Sequence, residues 1–182
     1  ENVTKQMRST AKAVIFGIVY GISGFGLSEN LSILPKEAKK FIDKYLELYP
    51  GVQKYRDDIV KEAQKEGCVR TLFKRKRNIP ELSSKQFQVR AAGQRIALNT
   101  PIQGTSADII KKAMVEIDKE FKLQHIKSKM ILQVHDELIF DIRLEEKEQI
   151  EQIVRDKMEN VIKLSVPLKV SIDYGKNWYD TK

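Results

Sequence analysis

A row of charged and aromatic side chains lies near the start of the chain. Arg8, Lys12, Phe16 and Tyr20 are spaced four residues apart in a run that is typical of a helix. Each step of four rotates by only about 40° in a helix, so the four side chains share one face. The two cations could bind a polyphosphate, and the two rings could pack on a nucleobase or a sugar. An ordinary amphipathic helix with extended Lys and Arg side chains explains the same spacing.

A second candidate group is the tripeptide His135-Asp136-Glu137. It lies between two apolar, alternating segments, residues 129–134 and 138–142, and this pattern predicts a β-hairpin with a tight connection. A carboxylate at such a tip is well placed to hold a hard cation such as Mg²⁺. Aspartate also favours turns because it bonds its own backbone. Three consecutive ionisable residues exceed what a turn requires, and we therefore favour the cation-binding interpretation.

Four consecutive cations, Lys74, Arg75, Lys76 and Arg77, follow a predicted short strand. Such a run favours contact with the phosphates of a nucleic-acid backbone. A nuclear localisation signal and a solvated surface loop are alternative interpretations of the same residues.

A polar row recurs in the middle of the chain, where Arg95, Asn99 and Gln103 again step by four. The surrounding pattern predicts a helix from Ser83-Ser84 to about residue 98, which Pro101 interrupts or kinks before it resumes over residues 103–123. On one face, these side chains could contact the groove edges and sugars of a duplex. A polar stripe facing solvent, or a cap at the kink, would have the same spacing.

The composition indicates a globular chain with an anionic partner. Its 182 residues are 41% hydrophobic and 32% charged, with a net charge of +8. Such an excess of cations favours a polyanionic partner, although a generally basic proteome would also produce it. The single cysteine, Cys68, excludes an internal disulfide. No segment approaches the ~20 apolar residues that span a bilayer, so we expect no membrane partner.

The periodicity along the chain predicts an α+β fold. Helical patterns begin after Thr4 and at Pro35, and a short one covers residues 27–31 with Ser23 or Ser28 as its cap. Pro50-Gly51 is predicted to stop the helix that begins at Pro35, and a further helix is predicted from Val52 to an end at Gly67. In the final third of the chain, the pattern predicts two strands, a helix over residues 145–162 and a last strand over residues 166–174. We therefore expect a mostly helical region followed by a small antiparallel sheet with a covering helix.

Taken together, these motifs resemble the family A DNA polymerases, the DNA polymerase I type. The resemblance covers essentially the whole chain and implies a fingers region at residues 1–123, including the long kinked helix, and a distal palm at residues 124–182 with the His-Asp-Glu hairpin. The motifs that carry it are Arg8-x₃-Lys12-x₃-Phe16-Gly17-x₂-Tyr20-Gly21, Arg95 with Asn99-Thr100-Pro101-Ile102-Gln103-Gly104, Val134-His135-Asp136-Glu137, and Tyr174-Gly175-x₂-Trp178.

The resemblance implies a nucleotide-binding role for the first helix. Arg8 and Lys12 would bind the triphosphate of the incoming dNTP, and Lys12 would protonate the leaving pyrophosphate. Phe16 would pack on the sugar, and a Phe at this position implies poor use of chain terminators. Tyr20 would stack at the templating position and guard the insertion site.

The resemblance also implies roles in DNA binding and catalysis. Arg95, Asn99 and Gln103 would contact the primer-template in the minor groove, with Gln133 beside them. At the hairpin, His135 would lie at the primer terminus, Asp136 would ligate catalytic Mg²⁺, and Glu137 would support it.

The implied reaction is the template-directed addition of dNTPs to a primer 3′ end, by phosphoryl transfer with two Mg²⁺ ions. In the family, the second metal-binding aspartate precedes the fingers helix, and it is not in this chain. We therefore expect the fragment to be inactive without the remaining polymerase domains of the same protein. The expected protein is a monomer in the bacterial cytoplasm, associated with the nucleoid, and an organellar location stays open.

Three positions depart from the family pattern, and a different class of function stays open. Ile15, Gln94 and Lys74 stand where Asn, Glu and Gly are usual. The alternative class is a non-catalytic, basic nucleic-acid-binding module, and a reverse transcriptase or an RNA polymerase is the nearer enzymatic rival. Asp136 and Glu137 discriminate, because a protein that only binds DNA gains nothing from acids facing it.

Overall fold

The computed structural model describes residues 3–181. The chain divides into two compact units, of which the first ends at Gly104 and the second begins at Thr105. Helices dominate the first unit, and a hairpin with a neighbouring helix forms much of the second. This arrangement confirms the predicted α+β class. The division into fingers and palm at residue 123 is a functional assignment and stays a prediction.

The regular elements of the described residues are six α-helices, four β-strands and three short 3₁₀ helices. The α-helices are α1 (Lys5–Val19), α2 (Gly24–Leu31), α3 (Pro35–Leu48), α4 (Pro50–Glu66), α5 (Phe87–Leu123) and α6 (Lys147–Glu159). The strands are β1 (Cys68–Arg70), β2 (Lys76–Asn78), β3 (Lys129–Val134) and β4 (Glu137–Asp141). The 3₁₀ helices cover Pro80–Ser83, Leu144–Glu146 and Trp178–Thr181.

Helix ends follow the capping chemistry of the sequence. The Thr4 hydroxyl accepts a hydrogen bond from the Met7 N–H at 3.1 Å, and α1 begins after it as predicted. The Ser23 hydroxyl caps α2 in the same way by accepting from the Gly26 N–H at 3.1 Å. Gly67 ends α4 with a φ of 66°, in the left-handed region that glycine adopts readily.

Helix α5 continues through Pro101, so the predicted interruption there is wrong, and the alternative, a kink at Pro101, stays a prediction. The helix also begins at Phe87 rather than at the predicted Ser83-Ser84. Proline lacks the N–H that would bond the carbonyl four residues earlier, and its ring crowds that turn. In this turn, the carbonyl of Leu98 accepts a hydrogen bond from the Tyr55 hydroxyl at 3.2 Å. Burial raises the pKa of the Tyr55 phenol.

The core of the first unit joins α4, the β1–β2 hairpin and α5. Strands β1 and β2 pair antiparallel, with Val69 opposite Arg77. Apolar residues from these elements, and from the segment between β2 and α5, are almost fully buried together. They are Ala63, Val69, Ile79, Leu82 and Ala97. This packing fixes the hairpin against the first half of α5.

The second unit has its own core between α5, α6 and the β3–β4 hairpin. The buried residues are Ile117, Phe121, Ile150, Ile153 and Val154. Strands β3 and β4 pair antiparallel with an irregularity between Met130 and Leu132, and Phe140 of β4 packs 6.0 Å from Phe121 between ring centroids. The predicted hairpin and covering helix are therefore confirmed, although α6 ends at Glu159 rather than at residue 162.

The last predicted strand, over residues 166–174, is wrong, because the structure has no strand in this segment. Two side chains of α6 form hydrogen bonds with the backbone at the centre of residues 166–174. Arg155 Nη1 donates to the Val170 carbonyl at 2.9 Å, and the Val170 N–H donates to Glu159 Oε1 at 3.0 Å. Side chains thus satisfy backbone groups that a neighbouring strand would otherwise pair. Among residues 3–181, no helix combines the length and the apolar character needed to cross a bilayer.

Candidate functional site

One exposed face of α1 carries the predicted row of cations and rings. Lys12 Nζ lies 5.9 Å from the centroid of the Phe16 ring, and the Phe16 and Tyr20 rings lie 5.9 Å apart with a 34° tilt. Phe16 is 48% exposed, whereas Ile18, on another side of the helix, is fully buried. The helix is thus held by its apolar side, and the row stays accessible.

The two cations of this face are available to an external anion. Arg8 and Lys12 are exposed, and within the described part of the chain neither forms an ion pair with a carboxylate. An unpaired guanidinium and an ammonium one helical turn apart can bind the oxygens of a polyphosphate. The adjacent rings offer a flat apolar surface beyond that charge.

The polar row of α5 meets the end of α1. Asn99 Nδ2 donates to the main-chain carbonyl of Tyr20 at 3.4 Å. Gly21 has a φ of 76°, and a Cβ atom at this position would lie 2.9 Å from Leu98 Cδ1 and 3.5 Å from Arg95 Cγ. Glycine is therefore required for the close approach of the two helices. The structure brings Tyr20 together with Arg95 and Asn99, which the spacing alone placed on two separate rows.

A buried acceptor lies within this meeting point. Among the described side chains, Asn99 Oδ1 is buried and has no hydrogen-bond partner. A buried, unpaired oxygen is costly and is characteristic of a site that a ligand or water completes. Gln103 follows one turn later on α5 and is exposed.

The basic run forms the turn and second strand of the β1–β2 hairpin. Lys74 lies at the turn with a φ of 67°. Arg75 Nη2 donates to the Gly104 carbonyl at 3.3 Å, and Arg77 Nη1 donates to the Thr100 hydroxyl at 3.2 Å. Two of the four residues predicted to contact phosphates therefore donate hydrogen bonds to α5, and these bonds attach the hairpin to the helix.

Asp136 and Glu137, the carboxylates predicted to bind or support a metal ion, lie at the tip of the β3–β4 hairpin. Val134 pairs with Glu137, so only His135 and Asp136 connect the strands, and Glu137 is the first residue of β4. His135 has a φ of 52°, and its carbonyl accepts a hydrogen bond from the Gln133 amide. The side chains of His135, Asp136 and Glu137 are exposed at this tip. Asp136 is thus presented on a two-residue turn.

The donor set of the tip fits a magnesium site only in part. Carboxylate oxygens are the ligands that Mg²⁺ prefers, and the tip offers two adjacent carboxylates. However, no three His, Cys, Asp or Glu side chains of residues 3–181 lie close enough together to hold a metal ion. Asp136 and Glu137 can therefore supply part of a coordination shell, in which Mg²⁺ usually keeps several waters.

The spacing of residues gave no indication of a polar network that closes the base of the same hairpin. Glu146 Oε2 accepts from the Ser128 N–H at 2.8 Å and from its hydroxyl at 2.6 Å, and Oε1 accepts from the Lys127 N–H at 2.9 Å. The Ser128 oxygen in turn accepts from the Arg143 N–H at 2.9 Å. Hydrogen bonds from the Ser128 hydroxyl and the Lys127 N–H lower the pKa of the Glu146 carboxyl. The network ties the entry of β3 to the exit of β4.

Comparison with known proteins identifies the family of this chain. A family description, DNA polymerase family A, matches residues 1–180. The chain belongs to DNA polymerase family A. Family A relatives include DNA polymerase I of Bacillus subtilis, 53% identical over 182 residues, and DNA polymerase I of Geobacillus stearothermophilus, 50% identical over the same length.

A solved polymerase-domain structure shares the fold of this chain. The POL domain of Pol1 from M. smegmatis, in complex with DNA primer-template and dNTP, superposes with a TM-score of 0.95 at 43% identity and covers 99% of this chain. The chain accounts for 32% of that structure and for 21% of each of the two DNA polymerase I relatives, so it spans about a fifth of their length.

Proposed function

We propose that this chain forms the fingers and distal palm of a DNA-directed DNA polymerase, which adds dNTPs to a primer 3′ end in the order set by a template. The observation that carries the proposal is the exposed row of side chains on α1. In this row, two cations without a carboxylate partner, Arg8 and Lys12, are followed by the contacting rings of Phe16 and Tyr20. Its support comes from the family A match along the chain and from the polymerase domain with bound DNA and dNTP that has the same fold.

The α1 row is proposed to bind the incoming dNTP. Arg8 and Lys12 hold the triphosphate, because both are exposed and lie one turn apart on the same face. Lys12 also delivers a proton to the leaving pyrophosphate. Phe16 packs on the sugar, and the Tyr20 ring in contact with it stacks at the templating position.

The neighbouring polar side chains are proposed to bind the primer-template. Arg95 and Asn99 flank the end of α1, so their minor-groove contacts would lie next to the templating position. Asn99 Oδ1, which lacks a partner among the described residues, accepts a hydrogen bond from the bound duplex or its water. Gln103 extends this row, and Gln133 supports the turn that places His135 at the primer terminus.

The chemistry is proposed to use two Mg²⁺ ions. When bound, they would neutralise the phosphates and activate the primer hydroxyl, as two-metal sites do. Asp136 is the ligand from this chain, with Glu137 as the supporting carboxylate, and the second ligand is an aspartate outside the chain. The remaining domains of the same protein complete the site, and the enzyme acts as a monomer on DNA in the nucleoid.

Primer extension by the full-length protein tests this proposal. Asp136→Asn removes a metal ligand worth several kcal/mol, so we expect the turnover rate to fall by a factor on the order of 10³, with primer-template affinity within about threefold of the wild type. Asp173→Asn is the matched control, because Asp173 is an exposed carboxylate in the segment that follows α6. Wild-type turnover in Asp136→Asn would reject the proposed catalytic role. Loss of DNA affinity without any effect on turnover would favour the non-catalytic binding module.

The same assay on the 182-residue chain tests whether it is incomplete. We expect no synthesis, because the proposed second metal-binding aspartate is outside this chain. Sustained extension by the isolated chain would contradict the proposed need for an aspartate outside it.

A further inference from the structure

The β1–β2 hairpin has two chemically different faces. Val69 and Arg77 are opposite each other, Val69 is buried, and Arg77 reaches the Thr100 hydroxyl of α5. Side chains alternate between the faces of a strand, so Arg70 and Lys76, the next cross-strand pair, lie on the opposite face. Both are exposed. The hairpin therefore presents a pair of cations away from the helix on which it packs.

This pairing is unfavourable in the isolated protein. Like charges directly opposite each other on two strands destabilise a sheet. Within the part of the chain that the structure describes, no carboxylate forms an ion pair with Arg70, Lys74 or Lys76. Lys74 adds a third cation at the adjoining turn, where a non-glycine residue takes a positive φ of 67°. An external anion would remove the repulsion that the protein leaves uncompensated.

We infer that Arg70, Lys74 and Lys76 form a clamp for the phosphates of a nucleic-acid backbone, here called the hairpin clamp. Arg70, which lies outside the run of four cations, is a principal contact, whereas Arg75 and Arg77 mainly fasten the hairpin to α5. The inference rests on the proposed polymerase function, for which it identifies a further contact with the DNA backbone.

A continuous polyanion fits the clamp better than a small enclosed anion. All three cations are exposed on a narrow two-stranded ribbon. A duplex offers a phosphate every ~3.4 Å along each strand, so it can meet several such cations at once and release their counterions. The net charge of +8 on the chain favours the same partner.

Binding of primer-template DNA by the full-length protein tests the clamp. The probe is a fluorescent primer-template duplex, and its dissociation constant is measured by anisotropy at several salt concentrations. For Arg70→Ala with Lys76→Ala, we expect affinity at 50 mM salt to fall on the order of tenfold, and the slope of log affinity against log salt to become shallower by about 1.8, as two lost phosphate contacts require.

A control of equal charge separates the clamp from a general effect of net charge. Lys36→Ala with Lys40→Ala removes two exposed cations from α3 of the same unit, and we expect its salt slope to match the wild type. Equal slopes in the clamp variant, the control and the wild type would overturn the clamp. Primer extension by the wild type would then still support the proposed polymerase function. Failure of the hairpin clamp can therefore be distinguished from failure of the proposed function.

The substitution Arg70→Glu distinguishes a binding role from a structural one. It places a carboxylate opposite Lys76, so we expect the unfolding temperature to stay the same or rise while DNA affinity falls further than in the double variant. By contrast, Arg77→Ala removes the bond to Thr100 and should lower the unfolding temperature. A drop in the unfolding temperature of Arg70→Glu with unchanged DNA affinity would overturn the clamp.

Discussion

The side-chain amide of Asn99 lies 3.4 Å from the main-chain carbonyl of Tyr20 and donates a hydrogen bond to it, although 79 residues separate the two in sequence. This bond joins the middle of α5 to the residue that follows α1. It leaves the other amide atom, Asn99 Oδ1, buried and without a partner among the described residues. One side chain thus both positions the end of the proposed nucleotide-binding face and offers an acceptor beside it.

Replacement of this amide should impair function more than folding. For Asn99→Ala in the full-length protein, we expect a loss of about 1 kcal/mol of stability, the usual contribution of one hydrogen bond. Loss of both the Tyr20 bond and the free acceptor should lower kcat/KM for dNTP addition by roughly 10- to 100-fold, or about 1.4–2.8 kcal/mol of transition-state stabilisation. Steady-state primer extension and thermal unfolding measure the two effects, and an unchanged kcat/KM beside a lowered unfolding temperature would contradict a role in the site.

Gly21 should tolerate no side chain. It has a φ of 76°, and a Cβ atom would lie 2.9 Å from Leu98 Cδ1, so Gly21→Ala combines backbone strain with a clash. We expect a destabilisation of about 1–3 kcal/mol. Gly51→Ala is the matched control, because nothing lies within 4 Å of a Cβ there and the residue is in helix α4. It should be neutral or stabilise by up to about 1 kcal/mol in chemical denaturation.

The network at the base of the β3–β4 hairpin should depend on pH. Hydrogen bonds from Ser128 and Lys127 lower the pKa of Glu146, so the ionised carboxylate stabilises the folded state above the ordinary glutamate pKa of about 4.3. This contribution disappears as the pH falls through the lowered pKa of the folded state. In Glu146→Gln, we expect the unfolding temperature to be reduced at pH 7, and the difference from the wild type to shrink below about pH 4.

Amide hydrogen exchange shows which backbone groups depend on the Glu146 carboxylate. The N–H groups of Lys127 and Ser128 should exchange faster in Glu146→Gln, because they lose their carboxylate acceptor. Glu145→Gln is the neighbouring control, since Glu145 is exposed and lies 3.8 Å from Arg143. Equal exchange rates in the two variants would show that Glu146 does not secure the hairpin base.

The segment after α6 should loosen when its side-chain contacts are removed. Glu159→Ala takes away the acceptor of the Val170 N–H, so we expect that amide to exchange about fivefold faster, in line with one hydrogen bond of about 1 kcal/mol. Glu148→Ala removes an exposed carboxylate from the same helix and should leave this amide unchanged. Slow exchange at Val170 in Glu159→Ala would mean that other contacts hold the segment.

The sequence alone determined the features that depend on neighbours along the chain. Thr4 and Gly67 mark helix ends because capping involves residues within one turn. The row from Arg8 to Tyr20 shares a face because helical geometry requires it, and the tight hairpin at Asp136 follows from two alternating strands. The family resemblance was also carried by such local motifs, and it was correct.

Features that depend on contacts between residues far apart in sequence were decided only by the tertiary structure. Helix α5 continues through Pro101, and the Tyr55 hydroxyl donates a hydrogen bond to a carbonyl in the same turn. Residues 166–174 form no strand, and side chains of α6 form hydrogen bonds with the Val170 backbone instead. The cations of residues 74–77 look equivalent in sequence, yet Arg75 and Arg77 bond to α5. These outcomes depend on contacts between residues far apart in sequence, which local propensity and periodicity do not encode.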